Sequence, residues 1–184
     1  MNWLFYFLRS IRDGIERWRL KIHRDSLLQQ VQGGESLHLD GFIKVICPVN
    51  LKLGSHVYIG GNAYINCMGD VSIGDYTILS RNVTIYSYDH QFKNPHMLPY
   101  DEGLILKPVR IGAYVWIGMN VTIAPGTFIG NGAVVGTGTV VSGIVPENAI
   151  IVSAKPRIIG YRNRDKVSDI VNNEKFFNKH FFNH

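Results

Sequence analysis

IGAYVW-IGMNVT-IAPGTF-IGNGAV-VGTGTV-VSGIVP, residues 111–146, is a run of six hexads without an insertion, each opening on isoleucine or valine. The same spacing extends backwards through Ile73, Leu79 and Ile85, and before them through Leu53, Ile59 and Ile65. Glycine follows the aliphatic residue directly at Gly54, Gly60, Gly74, Gly112, Gly118, Gly130 and Gly136. A small or β-branched residue stands four places after it at Val57, Ala63, Thr77, Val83, Val115, Val121, Thr127, Ala133 and Thr139. An α-helix repeats at about 3.6 residues and a plain strand at about 2, so a period of six fits neither. It fits a short strand closed by a sharp corner. Three such units make a triangular turn of about 18 residues, and stacked turns bury a continuous core that no single repeat could bury alone. The expected fold is therefore an all-β parallel β-helix. The large aliphatic residue fills its interior, the smaller one sits beside the corner, and Gly and Asn at the turns accept unusual backbone angles. Handedness does not follow from a period, since parallel crossovers are ordinarily right-handed.

Towards the N terminus, the chain changes character at Gly33-Gly34. Before it, Leu4, Phe7, Ile11, Ile15, Trp18 and Ile22 recur at three- and four-residue spacing, with Arg9, Arg12, Glu16 and Arg19 on another face. That is the pattern of an amphipathic helix. Its stripe is expected to pack on the coil or on a neighbouring subunit; the alternative is peripheral contact of its basic, aromatic-rich surface with an anionic membrane. The expected organisation is helix and linker over 1–35, coil over 36–159 with a protruding loop at about 86–110, and a tail over 160–184. Phe176, Phe177, Phe181 and Phe182 in that tail need cover from the coil or another chain.

A composition of 46% hydrophobic and 18% charged residues suits one main domain with an ordinary core. The formal charge is +5, and the first 24 residues hold Arg9, Arg12, Arg17, Arg19, Lys21 and Arg24 against only Asp13 and Glu16. The remainder is near neutral and lacks the basic stripe that phosphate contacts require, which excludes a nucleic-acid reader. The apolar run Trp3 to Leu8 is far too short to span a bilayer, and arginines follow it where a secretory signal would place them in front. A cytoplasmic location is expected. Cys47 and Cys67 are too few for a disulfide framework and read as small apolar residues facing a core.

The segments Val115-Trp116-Ile117-Gly118, Ala124-Pro125-Gly126-Thr127-Phe128-Ile129-Gly130 and Val135-Gly136-Thr137-Gly138-Thr139-Val140-Val141 resemble the hexapeptide-repeat acyltransferases. The likeness is greatest to the galactoside and maltose O-acetyltransferase branch and its relatives in capsule and O-antigen modification, and it runs from about Leu53 to Ile159. It implies a left-handed coil, acetyl-CoA as acyl donor without a metal, and a homotrimer with active sites between subunits. Members of the family interrupt the coil with a long loop that carries a catalytic histidine. Here the repeat stops after Ile85 and resumes at Ile111, and His90 stands in Ser87-Tyr88-Asp89-His90-Gln91-Phe92, 17 residues after Ile73 of an Ile-Gly-Asp hexad. The resemblance makes His90 the general base. A sugar hydroxyl is a weak nucleophile, and a neutral imidazole can take its proton during attack on the thioester and return it to the departing thiolate.

By the same resemblance Asn66 is a candidate for holding the acceptor; His96, beside Pro95 in the same loop, is another, and Asp89, next to His90, is a candidate for holding the acceptor or orienting the imidazole. Trp116, Gly136, Thr137, Gly138, Ser142, Lys155 and Arg157 are candidates for holding acetyl-CoA, the last two through its phosphates. His23, His38, His56, His180 and His184 are expected on the surface. The acceptor-binding N-terminal region of the sugar enzymes is not recognisable in Met1–Glu35, which points to a saccharide carried on a nucleotide, lipid or polymer. The expected function is O-acetylation of a sugar hydroxyl in cell-surface polysaccharide biosynthesis. The alternatives are N-acetylation of a nucleotide-linked amino sugar and a non-catalytic binding coil. The zinc hydrases that share this coil need three histidines brought together across a subunit boundary, whereas none lies between His96 and His180.

Overall fold

The computed structural model describes residues 2–93, 96–153 and 163–173. Strands of two or three residues alternate with corners and sort into three parallel sheets. The first sheet holds Gln32–Gly33, Leu51–Leu53, Val71–Ile73, Val109–Ile111, Phe128–Ile129 and Ile144–Val145. The second holds His38–Leu39, Tyr58–Ile59, Ile78–Leu79, Trp116–Ile117, Val134–Val135 and Ile150–Ile151. The third holds Lys44–Ile46, Tyr64–Asn66, Thr84–Tyr86, Thr122–Ile123 and Val140–Val141. Register sets like over like: Leu53 lies beside Ile73, Ile73 beside Ile111, and Ile111 beside Ile129. This is the expected parallel β-helix, and it begins at Gln32, inside the segment read as linker.

Every aliphatic position of the hexads is buried, and so is every small position after it. Each fully buried Leu or Ile contributes about 1.5–3 kcal/mol. Threonines at small positions keep their hydroxyls satisfied locally: Thr77 Oγ1 donates to the Gly112 carbonyl at 2.8 Å and Thr139 Oγ1 to that of Gly136 at 2.7 Å.

Gly126, Gly132 and Gly138, with Asn62, Asn82 and Asn120, take the expected left-handed backbone at corners, whereas the glycines directly after the aliphatic residue serve another end. A Cβ added at Gly74 would lie 2.6 Å from backbone atoms of Gly112 and Ala113, so this position is glycine because neighbouring turns approach closely there. The left-handed backbone falls two residues later, at His56, Asn62, Tyr76, Asn82, Tyr114 and Asn120. Three of these residues carry rings that stack along the coil, His56 on Tyr76 at 4.6 Å and Tyr76 on Tyr114 at 5.5 Å. Stacking of this kind offsets part of the left-handed cost, about 1–2 kcal/mol per residue.

Helix α1, Asn2–Leu28, docks on the first turns of the coil through its C-terminal end. Leu27 is buried, and Leu28 and Val31 pack against the core. His23, expected on the surface, is half-buried: its Nε2 lies 2.8 Å from the Ile43 carbonyl oxygen, and its ring stacks on Phe42 at 4.5 Å. Cys47 does not face the core. The corner after Ile46 swings outwards through a 3-10 turn at Pro48–Asn50, leaving Cys47 exposed with a left-handed backbone, φ 55. Cys67 is buried as expected, and burial pushes its thiol up to about 12. No described helix is long and apolar enough to cross a membrane. The chain from Ala154 onwards forms a separate unit, in which helix α2, Arg164–Asn172, is capped by Asn163 Oδ1 accepting from the Lys166 N–H at 2.9 Å. Phe176, Phe177, Phe181 and Phe182, with His180 and His184, lie outside the described residues.

Candidate functional site

After Tyr86 the chain leaves the coil at the corner between the third sheet and the first. Tyr88–His90 and Leu104–Leu106 pair antiparallel, with Asp89 opposite Ile105 and His90 opposite Leu104. The protruding loop is thus a hairpin whose base is tied to the coil. Buried Ser87 donates through Oγ to the Asn66 carbonyl at 2.7 Å and accepts from the Gly69 N–H at 2.9 Å, while its own carbonyl accepts from the Lys107 N–H at 2.8 Å. Gly69 has no room for a side chain, because an added Cβ would overlap the Ser87 carbonyl oxygen.

Aromatic side chains run from the coil into the hairpin. Tyr64 and Tyr86 have ring centroids 5.5 Å apart, Tyr86 and Tyr88 6.5 Å, and Tyr88 and His90 5.8 Å with the rings edge to face. Tyr100, from the outer part of the hairpin, covers the imidazole of His90 with centroids 4.0 Å apart and planes at 23°. The ring is held on a face and an edge. Its Nδ1 is buried without a hydrogen-bond partner among the described residues. Asp89 does not orient the ring: its Oδ1 accepts from the His90 backbone N–H at 2.9 Å, and its Oδ2 lies 3.5 Å from Lys107 Nζ. Both partners of that ion pair are well exposed, so it contributes little.

His90 lines a cleft of about 390 Å³ between the hairpin, through Tyr88 and Asp89, and the coil, through Tyr86 and, one turn on, Thr122, Ala124 and Pro125. No cysteine or serine stands among these lining residues, so the cleft offers proton transfer without an obvious covalent nucleophile. The other expected residues are dispersed. Asn66 is 4% exposed and its Oδ1 accepts from the Met68 N–H at 3.2 Å, the arrangement of a corner asparagine. His96 is exposed in the hairpin, and its backbone N–H donates to Asp101 at 2.7 Å.

Trp116 is 56% exposed on the second sheet, its Nε1 3.4 Å from Ser80 Oγ. Thr137, Gly138 and Ser142 are exposed and Gly136 half-buried on later turns, outside the lining of the His90 cleft. Gly138 has φ +73 and nothing within 4 Å of an added Cβ, so a slender ligand has room to lie against the backbone there. Lys155 and Arg157 lie outside the described residues. Among the described residues no group of three His, Cys, Asp or Glu side chains is placed to hold a metal. Tyr100 and the wall of Thr122, Ala124 and Pro125 were not anticipated. Nothing in the sequence set Tyr100 apart from Phe92, Met97 and Leu98 of the same loop.

Residues 108–143 match the family model of the bacterial transferase hexapeptide (six repeats). Nodulation protein L of Rhizobium meliloti is 39% identical over 163 residues, covering 86% of this chain and 83% of that protein. A candidate lipopolysaccharide biosynthesis O-acetyl transferase of Escherichia coli is 34% identical over 169 residues, with the same coverage of 86% and 83%. A “Probable acetyltransferase” of Mycobacterium tuberculosis is 32% identical over 144 residues; the match covers 78% of this chain but 48% of that longer protein, so the chain spans about half its length. Among solved structures, galactoside acetyltransferase in complex with coenzyme A is 28% identical and superposes with a TM-score of 0.59, covering 78% of this chain and 72% of that one.

Proposed function

The chain belongs to the hexapeptide-repeat acyltransferases, with their left-handed parallel β-helix, and from that premise we propose that it transfers an acetyl group from acetyl-CoA to a sugar hydroxyl, with His90 as general base. The observation that carries this reading is the clamped imidazole of His90 at the edge of an open cleft. The acceptor hydroxyl gives its proton to the imidazole as its oxygen attacks the thioester carbonyl. When the carbon–sulfur bond breaks, the same imidazole returns the proton to the thiolate. Holding the ring by stacking limits the orientations it can take, which favours a productive one. Asn66, Asp89 and His96 serve the acceptor in this reading.

Trp116, Gly136, Thr137, Gly138 and Ser142 hold the acyl donor, with Lys155 and Arg157 on its phosphates. The open backbone at Gly138 suits the slender pantetheine arm. Trp116, Gly136, Thr137, Gly138 and Ser142 lie outside the lining of the His90 cleft, and a homotrimer with shared sites would bring such separate parts together. The acceptor is a saccharide carried on a nucleotide, lipid or polymer for the cell surface, met on the cytoplasmic side.

Thiol release from acetyl-CoA, measured with pooled nucleotide sugars and surface glycans, tests the reading. Acceptor-dependent release is expected to fall by roughly 10²–10⁴ in His90→Ala. Equal release by the variant would remove His90 from the mechanism, and an alkali-stable product would make the acceptor an amine.

A further inference from the structure

We propose that the face of α1 turned away from the coil is a docking surface for an anionic lipid bilayer. The helix has two apolar faces of unequal fate. Leu27 and His23 lie on the one that meets the coil, and Leu20, half-buried, falls on the same side. Roughly 150° around the axis, at about 100° per residue, Ile11, Ile15, Trp18 and Ile22 form a second stripe that the described residues leave exposed, with Phe42 at one margin. Their exposures are 45%, 54%, 63% and 48%. Phe7 and Leu8, 48% and 56% exposed, extend the apolar surface towards the N-terminal end.

Charge decides among occupants. Arg12 and Arg19 border the stripe on one side, Arg17 and Lys21 on the other, so basic groups flank the apolar surface along both edges. Long basic side chains in that position lay their stems over apolar surface and carry the charge outwards to phosphate. The first 24 residues supply four of the five excess positive charges of the chain. Their acidic residues do not answer them all: Asp13 is already engaged by Arg12 at 2.9 Å and approached by Arg9 at 3.9 Å. A second copy of the helix laid on this face in a symmetric assembly would bring like charges together, whereas an anionic bilayer answers both the stripe and its margins. The groove of about 420 Å³ that Leu8, Ile11 and Ile15 form with Phe42 gives the rival helix a place to lie, with Arg12, Arg19 and one acidic residue, Glu16, on its walls, so the balance there is still positive.

This inference does not rest on acetyl transfer, and its test is separate from activity. The full chain is sedimented with vesicles of phosphatidylcholine containing about one-third phosphatidylglycerol, and with phosphatidylcholine alone. Binding to the anionic vesicles is expected to be at least about tenfold tighter and to weaken as salt rises. Ile15→Glu with Trp18→Glu is expected to abolish it, and Arg17→Gln with Lys21→Gln to remove most of the preference for the anionic vesicles. All four positions are exposed, and glutamate and glutamine form helix readily, so circular dichroism should be unchanged. His90→Ala should bind vesicles as the unaltered protein does, whatever its activity. Absence of sedimentation, or equal binding by the double variants, overturns the proposal. So does a change in oligomeric state on sedimentation velocity in the Ile15→Glu/Trp18→Glu variant without vesicle binding by the unaltered protein, which would make this face an interface between copies.

Discussion

In the coil, residues are nearly interchangeable by position: Ile117, Ile123 and Ile129 each fill one face of the interior, each fully buried. In the hairpin no residue has an equivalent one turn on. The two regions meet at one corner. Strand pairing places Ile46 beside Asn66 and Asn66 beside Tyr86, so Cys47, Cys67 and Ser87 begin the same corner on three successive turns. The first corner swings outwards through a 3-10 turn, the second folds inwards over Cys67, and the third opens into the hairpin. Repetition therefore supplies stability, and the catalytic candidate sits where repetition is suspended.

The largest effect that could break this contrast lies in thiol chemistry at the first two corners. With its thiol pushed up to about 12 and no exposed surface, Cys67 should resist alkylation in the native state. Ionisation alone slows such a thiol by roughly 10³ relative to free cysteine near neutral pH. Exposed Cys47 should be modified readily, and Cys67 only in denaturant, which peptide mapping of the alkylated protein would report. Early labelling of Cys67 would mean that the second corner opens too.

Next in size is the core itself. Ile117→Ala removes a fully buried side chain and is expected to cost about 2–5 kcal/mol, read as a lower urea midpoint. Smaller, at about 1–3 kcal/mol, is Gly74→Ala, where backbone of the next turn lies 2.6 Å from the new Cβ and two turns must separate. Neither residue lines the His90 cleft. If either variant lost activity while remaining folded, coil and hairpin would not be divided as described.

The coil was legible because a period is a property of the whole run. One substitution at Thr77 or Ala63 does not hide it, and the interior accepts any small side chain there. The reason for each glycine was less legible, since one residue type serves both close approach, as at Gly74, and left-handed backbone, as at Gly138. Cys47 was misplaced because its corner, as long as the one that buries Cys67, takes a 3-10 turn at Pro48–Asn50 and turns outwards, a difference that spacing alone does not carry. His90 is a candidate by its place in a family pattern, not by periodicity. The pairing of Tyr88–His90 with Leu104–Leu106 is non-local, and neither strand alternates apolar and polar residues clearly enough to announce it.

The smallest effect is the most informative about the hairpin. Tyr100 touches the imidazole of His90 face to face at 4.0 Å, and nothing in the coil depends on it. If the stack does no more than hold the ring, Tyr100→Leu should leave the thermal midpoint unchanged and lower kcat by the worth of one aromatic contact, about 0.5–1.5 kcal/mol or roughly two- to tenfold. Tyr100→Phe keeps the stacking surface and should recover most of the rate. A variant that raised KM while sparing kcat would assign Tyr100 to acceptor binding instead, because a group that only orients the base acts on the chemical step. Recovery by phenylalanine would also separate the ring from its hydroxyl. The fold needs neither, so any loss in Tyr100→Leu would belong to the cleft.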